Sequence, residues 1–364
     1  MKWLFTIAVS SMFTRLFAQT TDTAIHLQKT PLVQWSGYAE MYYQHNSNGP
    51  TTNNNSAFAY SHDQNKRPSI NLAFIKGQIN HTRFRSNLAL AFGSYMRANY
   101  ASERGINKHI LEANIGFKPI KQVNLWVDIG VFPSHIGFES AVGKDCWTLT
   151  RSIAADNSPY FETGVKLMYT SPNEKWMVST LLLTGWQSIA MVRGNTKPSF
   201  GHQIQFKPNK QLTINSSSFI GQPYANSTGI TRLFHNFYAI YQLNNQVGLI
   251  FGIDMGWQKS SITQVTQAWH APVIMAQYAI NQQLKMTVRS ETYQDKDGVM
   301  IPTGTTNGFN VRGWSFNADY QMTKSILWRF EIKQLQSKDL IFSKLNNEGT
   351  KEINMVNTAF AVSL

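Results

Sequence analysis

The chain has 364 residues, of which 42% are hydrophobic, 13% aromatic and only 15% charged, and its net charge is +13. Globular domains usually carry about 25% charged residues. The shortfall, filled by Asn, Gln, Ser, Thr, Tyr and Gly, excludes a highly charged disordered chain. It also speaks against an all-helical protein, and no long apolar run follows the N-terminus to supply membrane helices.

Residues 1–18 read MKWLFTIAVSSMFTRLFA, with Lys2 as a positive start, an apolar stretch from Trp3 to Phe13, and a cleavage point between Ala18 and Gln19. This pattern predicts a secretory signal peptide, too short to span a membrane. Its removal takes away Lys2 and Arg15 and lowers the net charge from +13 to +11. Residues 19–31 are predicted to be a periplasmic N-terminal segment, and 32–364 a single domain without repeats or linkers.

From Leu32 onward the dominant signal is period-two alternation, which marks strands with one apolar and one polar face. In 123–131, Val123, Leu125, Val127, Ile129 and Val131 oppose Asn124, Asp128 and Gly130. In 161–169, Phe161, Val165, Leu167 and Tyr169 oppose Glu162 and Lys166. Leu284, Met286 and Val288 oppose Lys285, Thr287, Arg289 and Glu291. Trp314, Phe316, Ala318 and Tyr320 oppose Ser315, Asn317 and Asp319, and Trp328, Phe330 and Ile332 oppose Arg329, Glu331 and Lys333. The last segment sets Val356, Thr358, Phe360, Val362 and Leu364 against Asn357, Ala359, Ala361 and Ser363.

Short connectors built from turn-forming residues fall at 81–82, 118–121, 171–174, 207–210, 244–245, 281–282 and 323–324. Between them lie longer polar stretches near 46–67, 100–108, 133–158, 188–197, 223–231, 259–268, 295–310 and 338–350. Alternating short and long connections predict an all-β transmembrane antiparallel up-and-down β-barrel, with short periplasmic turns and longer extracellular loops. The count is 16 strands, which places both termini on the periplasmic side. Tyr42, Tyr43, Trp176, Trp257, Trp269, Trp314 and Trp328 are expected at the membrane interfaces. A closed ring satisfies the backbone in lipid, and one of this size has room for a water-filled lumen in which inward charges stay solvated.

Several segments carry a resemblance to a known family. They are Ser36-Gly-Tyr-Ala-Glu-Met-Tyr-Tyr43, Asp128-Ile-Gly-Val-Phe-Pro-Ser-His-Ile-Gly-Phe-Glu139 and Thr150-Arg-Ser-Ile153. Pro159-Tyr-Phe-Glu-Thr-Gly-Val-Lys-Leu-Met-Tyr169 and Leu181-Leu-Leu-Thr-Gly-Trp186 complete the set. On these the chain resembles the OmpL-like outer-membrane β-barrel porins, the β-barrel porin-2 family of Gram-negative bacteria. The recognisable motifs lie in the first half. The resemblance implies an outer-membrane barrel acting as a diffusion pore. Such barrels usually end in an aromatic residue; here the last residue is Leu364, with Phe360 four positions earlier.

The longest loop, 132–159, follows strand 5. In general 16-stranded porins the loop at that place folds inward and narrows the pore, so by analogy His135, Glu139, Lys144, Asp145, Arg151 and Asp156 are expected at a constriction. Charges of both signs there would create a transverse field acting on solutes. The expected lumen wall carries Glu40, Arg97, Glu112, Asp128, Glu162, Lys166, Asp254, Lys285, Arg289, Glu291, Asp319, Arg329, Glu331 and Lys333. The wall is mixed in sign, so anion selectivity does not follow from net charge.

With one cysteine, Cys146, an internal disulfide and a cysteine metal cluster are excluded. No cofactor and no metal are expected, and Cys146 reads as an unpaired thiol without a role. The basic residues form no stripe, so nucleic acid is not an expected partner. The expected partners are outer-membrane lipid and lipopolysaccharide, small hydrophilic solutes and the outer-membrane assembly machinery, with a homotrimer as one arrangement. Two other functions are compatible with such a barrel. One is a barrel enzyme of lipid-hydrolase type, for which His202 and His270 on outward faces lack a nucleophile motif. The other is a structural or adhesion barrel with a closed lumen.

Overall fold

The computed structural model describes residues 33–49, 58–191, 197–223, 229–260, 263–346 and 348–364. The expected signal peptide and the 19–31 segment lie outside the described residues.

In chain order the strands are β1 (Gln34–Asn46), β2 (Ser69–Asn80), β3 (Phe84–Phe92), β4 (Ile110–Phe117), β5 (Leu125–Pro133) and β6 (Phe161–Thr170). Then come β7 (Trp176–Leu183), β8 (Ser199–Phe206), β9 (Leu212–Gly221), β10 (Arg232–Gln242), β11 (Val247–Lys259) and β12 (Thr266–Ala279). They continue as β13 (Leu284–Asp295), β14 (Phe309–Gln321), β15 (Ile326–Ser337), the short β16 (Phe342–Ser343) and β17 (Gly349–Thr350), and β18 (Glu352–Ser363). Sixteen of them close into one antiparallel barrel, in which each strand pairs with its chain neighbours and β18 returns to β1. Closure runs from Tyr38 opposite Ser363 to Asn46 opposite Met355. The pair β16–β17 forms a separate hairpin in the loop before β18.

All seven expected short connectors join strands at one end of the barrel, and their side chains explain why. Asn209, Asn244 and Asn281 each accept, through Oδ1, backbone N–H groups two and three residues on, at 2.8–3.0 Å. These Asx turns reverse the chain tightly without the φ > 0 demands of a glycine turn.

The faces are inverted relative to a soluble β-protein. On β18 the apolar Val356 and Phe360 are 41% and 49% exposed, whereas Asn357 between them is fully buried. The same holds for Trp314 and Trp328 outside against Asn317, Arg329 and Glu331 inside. Water would not tolerate a continuous apolar exterior of this size; hydrocarbon requires it.

Alternation breaks at bulges beside Glu40 and Ala89, and again between β5 and β6. Gly130 and Gly164 face each other with φ of 125° and 156°, and a Cβ on either would strike a neighbouring strand's backbone oxygen. Beyond this pair Val131 and Phe132 are both buried, as are Phe161 and Glu162. Val131 and Phe161, expected on the lipid face, are therefore covered, and Phe161 stacks on Tyr100 with ring centroids 4.1 Å apart. Tyr42 and Trp269 also depart from expectation. Both are 2% exposed and point into the barrel, where Trp269 joins an apolar cluster with Phe234, Tyr293 and Phe309. Tyr43, Trp176, Trp257, Trp314 and Trp328 do lie outside.

Candidate transport lumen

The 134–160 loop between β5 and β6 lies inside the ring, hydrogen-bonded to strands on opposite sides of it. A chain segment in that position has no ladder partner, so its N–H and C=O groups need side chains. The wall of β13–β15 supplies them. Arg289 donates to Thr148 Oγ1 and to the Thr150 carbonyl, both at 2.7 Å. Arg329 donates to the carbonyls of Gly143 at 2.6 Å and Cys146 at 2.8 Å. Lys333 donates to the Arg151 carbonyl at 3.1 Å. In return, Glu331 accepts from Thr150 N–H and Glu291 from Ile153 N–H, both at 2.6 Å, and Asn317 from Leu149 N–H at 2.9 Å. Across the strands Arg289 pairs with Glu331 at 3.0 Å, Lys333 with Glu291 at 3.2 Å and Arg329 with Asp319 at 2.8 Å.

These wall charges were expected to be solvated. Arg289, Glu291, Arg329, Glu331 and Lys333 are instead buried beneath the loop. Their mutual pairing and the loop's backbone groups replace water.

The six expected loop residues divide into two groups. His135 is buried, with Nδ1 2.7 Å from Glu162 Oε2 and Nε2 2.8 Å from the Ser218 carbonyl. Both ring nitrogens face acceptors, which favours the imidazolium. Burial works against that charge, but Glu162 and the two hydrogen bonds outweigh it and raise the pKa. Glu139 accepts from the Ser152 N–H at 3.1 Å and from its hydroxyl; burial raises its pKa. Arg151 donates to the carbonyls of Ser140, Leu149 and Ala141 at 2.7, 2.8 and 3.1 Å, binding the loop to itself. Asp156 accepts from the Tyr160 hydroxyl at 3.3 Å, and burial pushes its carboxyl up to about 7. It lies at the end of the short helix α2 (Ile153–Asp156), capped by Ser152. Only Lys144 and Asp145 are exposed. The expected transverse field thus falls mostly on residues that hold the loop in shape. Cys146 belongs with them: its Sγ accepts from Ser140 N–H at 3.2 Å.

Of the remaining wall residues, Glu40 accepts from Tyr38 at 2.7 Å and Asn71 at 2.8 Å and contacts His62 Nε2 at 2.7 Å. Asp128 pairs with Arg85 at 2.5 Å and lies 3.9 Å from Lys166. Asp254 accepts from Asn236 at 2.6 Å. Lys285 is exposed near the turn end of β13. Arg97 is not on the wall: it sits on the helix α1 (Ser94–Asn99) in the β3–β4 loop, exposed and 3.1 Å from Asp63. Its segment lacks the alternation of the strands, and Gly93, with φ of 128°, ends β3 before it. Among the described residues no three His, Cys, Asp or Glu are grouped to hold a metal ion.

A cavity of about 540 Å³ remains between the loop and the β1–β4 wall. Its lining includes Tyr38, Phe74, Lys76, Gln78, Glu112, Glu139, Lys144, Asp145 and Leu364. Lys76 reaches Glu112 at 2.9 and 3.0 Å. Lys76 and Arg85 are inward residues that sequence reasoning missed. A usable signal existed for Arg85, because Arg85, Asn87, Ala89 and Ala91 alternate with Phe84, Leu88, Leu90 and Phe92.

The family model for putative beta-barrel porin-2, OmpL-like, matches residues 32–364. No curated protein matches the chain. Among solved structures the chain is similar to the outer-membrane channel DcaP of Acinetobacter baumannii, with a TM-score of 0.63 and 10% identity over 91% of this chain and 97% of that one. An anion-selective porin from Comamonas acidovorans gives a TM-score of 0.60 and 8% identity, covering 91% and 99%. Salmonella typhi OmpF in complex with daunomycin gives 0.59 and 9%, covering 91% and 97%. At such identities the likeness is one of fold.

Proposed function

Because the chain belongs to the β-barrel porin-2, OmpL-like family, we propose that it is a passive outer-membrane channel for small hydrophilic solutes or ions, narrowed by the 134–160 loop. The observation that carries this reading is the cavity of about 540 Å³ left beside the loop, which Lys76, Glu112, Lys144 and Asp145 line together with apolar side chains, inside a ring whose exterior is apolar. Solutes pass along the Lys76–Glu112 side, with Lys144 and Asp145 at the loop's free edge. The protein performs no catalysis in this reading. It is exported through residues 1–18, inserted by the outer-membrane assembly machinery among lipid and lipopolysaccharide, and works as a homotrimer.

Planar-bilayer recording tests the proposal. The purified protein should give stable ohmic steps, and deleting 137–156 should enlarge them, since the deletion removes the loop and its share of the lumen. Unchanged steps after the deletion would remove the constriction. No conductance together with lipid hydrolysis would make the barrel an enzyme, and neither would make it a closed structural barrel.

A further inference from the structure

The outward face of β7–β12 carries a row of polar side chains set inside its apolar band. Register places Thr180 opposite His202, His202 opposite Ser218, and Ser218 opposite His235. It continues through Met255 to His270. Their strand neighbours settle which face this is. Phe219, Asn236, Trp269 and Ala271 are all buried inside the ring, so the residues beside them point out. Ser218 Oγ lies 2.5 Å from His202 Nδ1, and the rings of His202 and His235 are 6.3 Å apart.

The row's depth follows from the same registers. Two positions toward the loop end stand Phe200, Ile220, Leu233 and Trp257, all exposed. Two positions toward the turn end stand Ile204, Phe237 and Ile253, with Ser216 between the first two as a further polar side chain on this face. Two residues of a strand tilted by about 40° span roughly 5 Å of height. The polar row therefore lies roughly 5 Å inside the loop-side edge of the apolar band. Hydrocarbon offers nothing to an imidazole or hydroxyl. At that edge, however, the ester carbonyls of membrane lipids lie, and these are acceptors only. The row offers donors. If Ser218 donates to Nδ1, His202 keeps Nε2–H; if Nδ1–H donates, the Ser218 hydroxyl remains.

We propose that His202, Ser218 and His235 form a lipid site that holds an acyl-ester lipid of the outer leaflet by hydrogen bonds to its ester carbonyl oxygens. The site is independent of the lumen and of what passes through it. Ser218 also links the two sides of the wall, since its carbonyl accepts from His135 of the loop inside.

Native mass spectrometry of the delipidated full-length barrel in detergent tests this, with a diacyl phosphatidylglycerol and its diether analogue as probes. The diester should bind roughly tenfold more tightly, as expected for one or two hydrogen bonds of ordinary net strength. His202→Phe with His235→Phe should erase the difference. Equal binding of diester and diether by the wild-type barrel would overturn the proposal, and that comparison needs no variant to fold. A dimer lost in the double variant, with no ester preference, would also overturn it and make the row a contact between two copies. Release of free fatty acid would overturn it in favour of catalysis by the Ser218–His202 pair.

Discussion

Replacing Arg289 by Met tests whether the wall of β13–β15 holds the loop. Arg289 is fully buried and carries three hydrogen bonds to the loop, two at 2.7 Å and one at 3.1 Å, with ion pairs to Glu331 at 3.0 Å and Glu291 at 3.4 Å. Removing one partner of a buried pair costs about 3–5 kcal/mol. Water from the adjoining cavity can hydrate part of what is left unpaired, so about 3 kcal/mol of loop seating should be lost. That shifts the balance between seated and released loop by roughly 150-fold. Single-channel records should show a new, larger level approaching that of the 137–156 deletion. Trypsin should cut after Arg151, whose side chain is fully buried when the loop is seated. Adding Glu331→Gln should recover part of the seating, because the amide oxygen still accepts from Thr150 while the carboxylate nearest the lost guanidinium is gone. An Arg289→Met barrel with wild-type conductance and a protected Arg151 would refute the clamp.

Two other expectations concern charge. The raised pKa of His135 means that its contribution to seating is complete below about 6.5 and is lost as pH rises through the folded-state value. Asp156, held near 7 by burial, keeps its proton when folded, so its contribution also falls as pH climbs from about 4 to 7. Protection of Arg151 from trypsin should therefore weaken between pH 5 and pH 8, and His135→Gln together with Asp156→Asn should flatten the profile; a flat wild-type profile would contradict both assignments. In the cavity, Glu112→Gln leaves Lys76 without its carboxylate, and the reversal potential in a KCl gradient should move toward anion preference. Lys76→Gln should move it the other way, and identical shifts from the two would place the pair off the permeation path.

The strands were legible because their period is simple and both faces are chemically distinct. In β18 from Val356 to Ser363 and in β15 from Trp328 to Lys333 an apolar residue alternates with a polar or small one, and the turns announce themselves by Asn, Pro and Lys. Where alternation lapses, so does legibility. Gly130 and Gly164 let the chain adopt backbone angles that defeat the two-residue rhythm, and Val131 and Phe161 become covered. Trp269 reads as an interface aromatic, yet it is buried with the Arg232 guanidinium 5.5 Å from its ring centroid. That contact joins residues far apart in sequence and leaves no local trace. The loop's charged residues were visible as a group. Which of them would face water depended on contacts such as Arg151 with Ser140 and Arg329 with Gly143, which periodicity cannot register.

The lumen shows why a count of inward charges is a poor guide to selectivity. A loop inside a closed barrel has backbone groups that cannot join the sheet, and leaving each unpaired would cost more than a hydrogen bond gains. Alternating cations and anions on neighbouring wall strands solve this: Arg289, Arg329 and Lys333 meet loop carbonyls, while Glu291 and Glu331 meet loop N–H groups. Charges so used are neutralised twice, by each other and by the loop, and present little field to a solute. The exposed Lys144 and Asp145 and the half-buried Lys76 and Glu112 stand on the cavity side, where water and ions reach them. Selectivity should therefore follow substitutions at these four positions closely and substitutions beneath the loop only insofar as the loop moves.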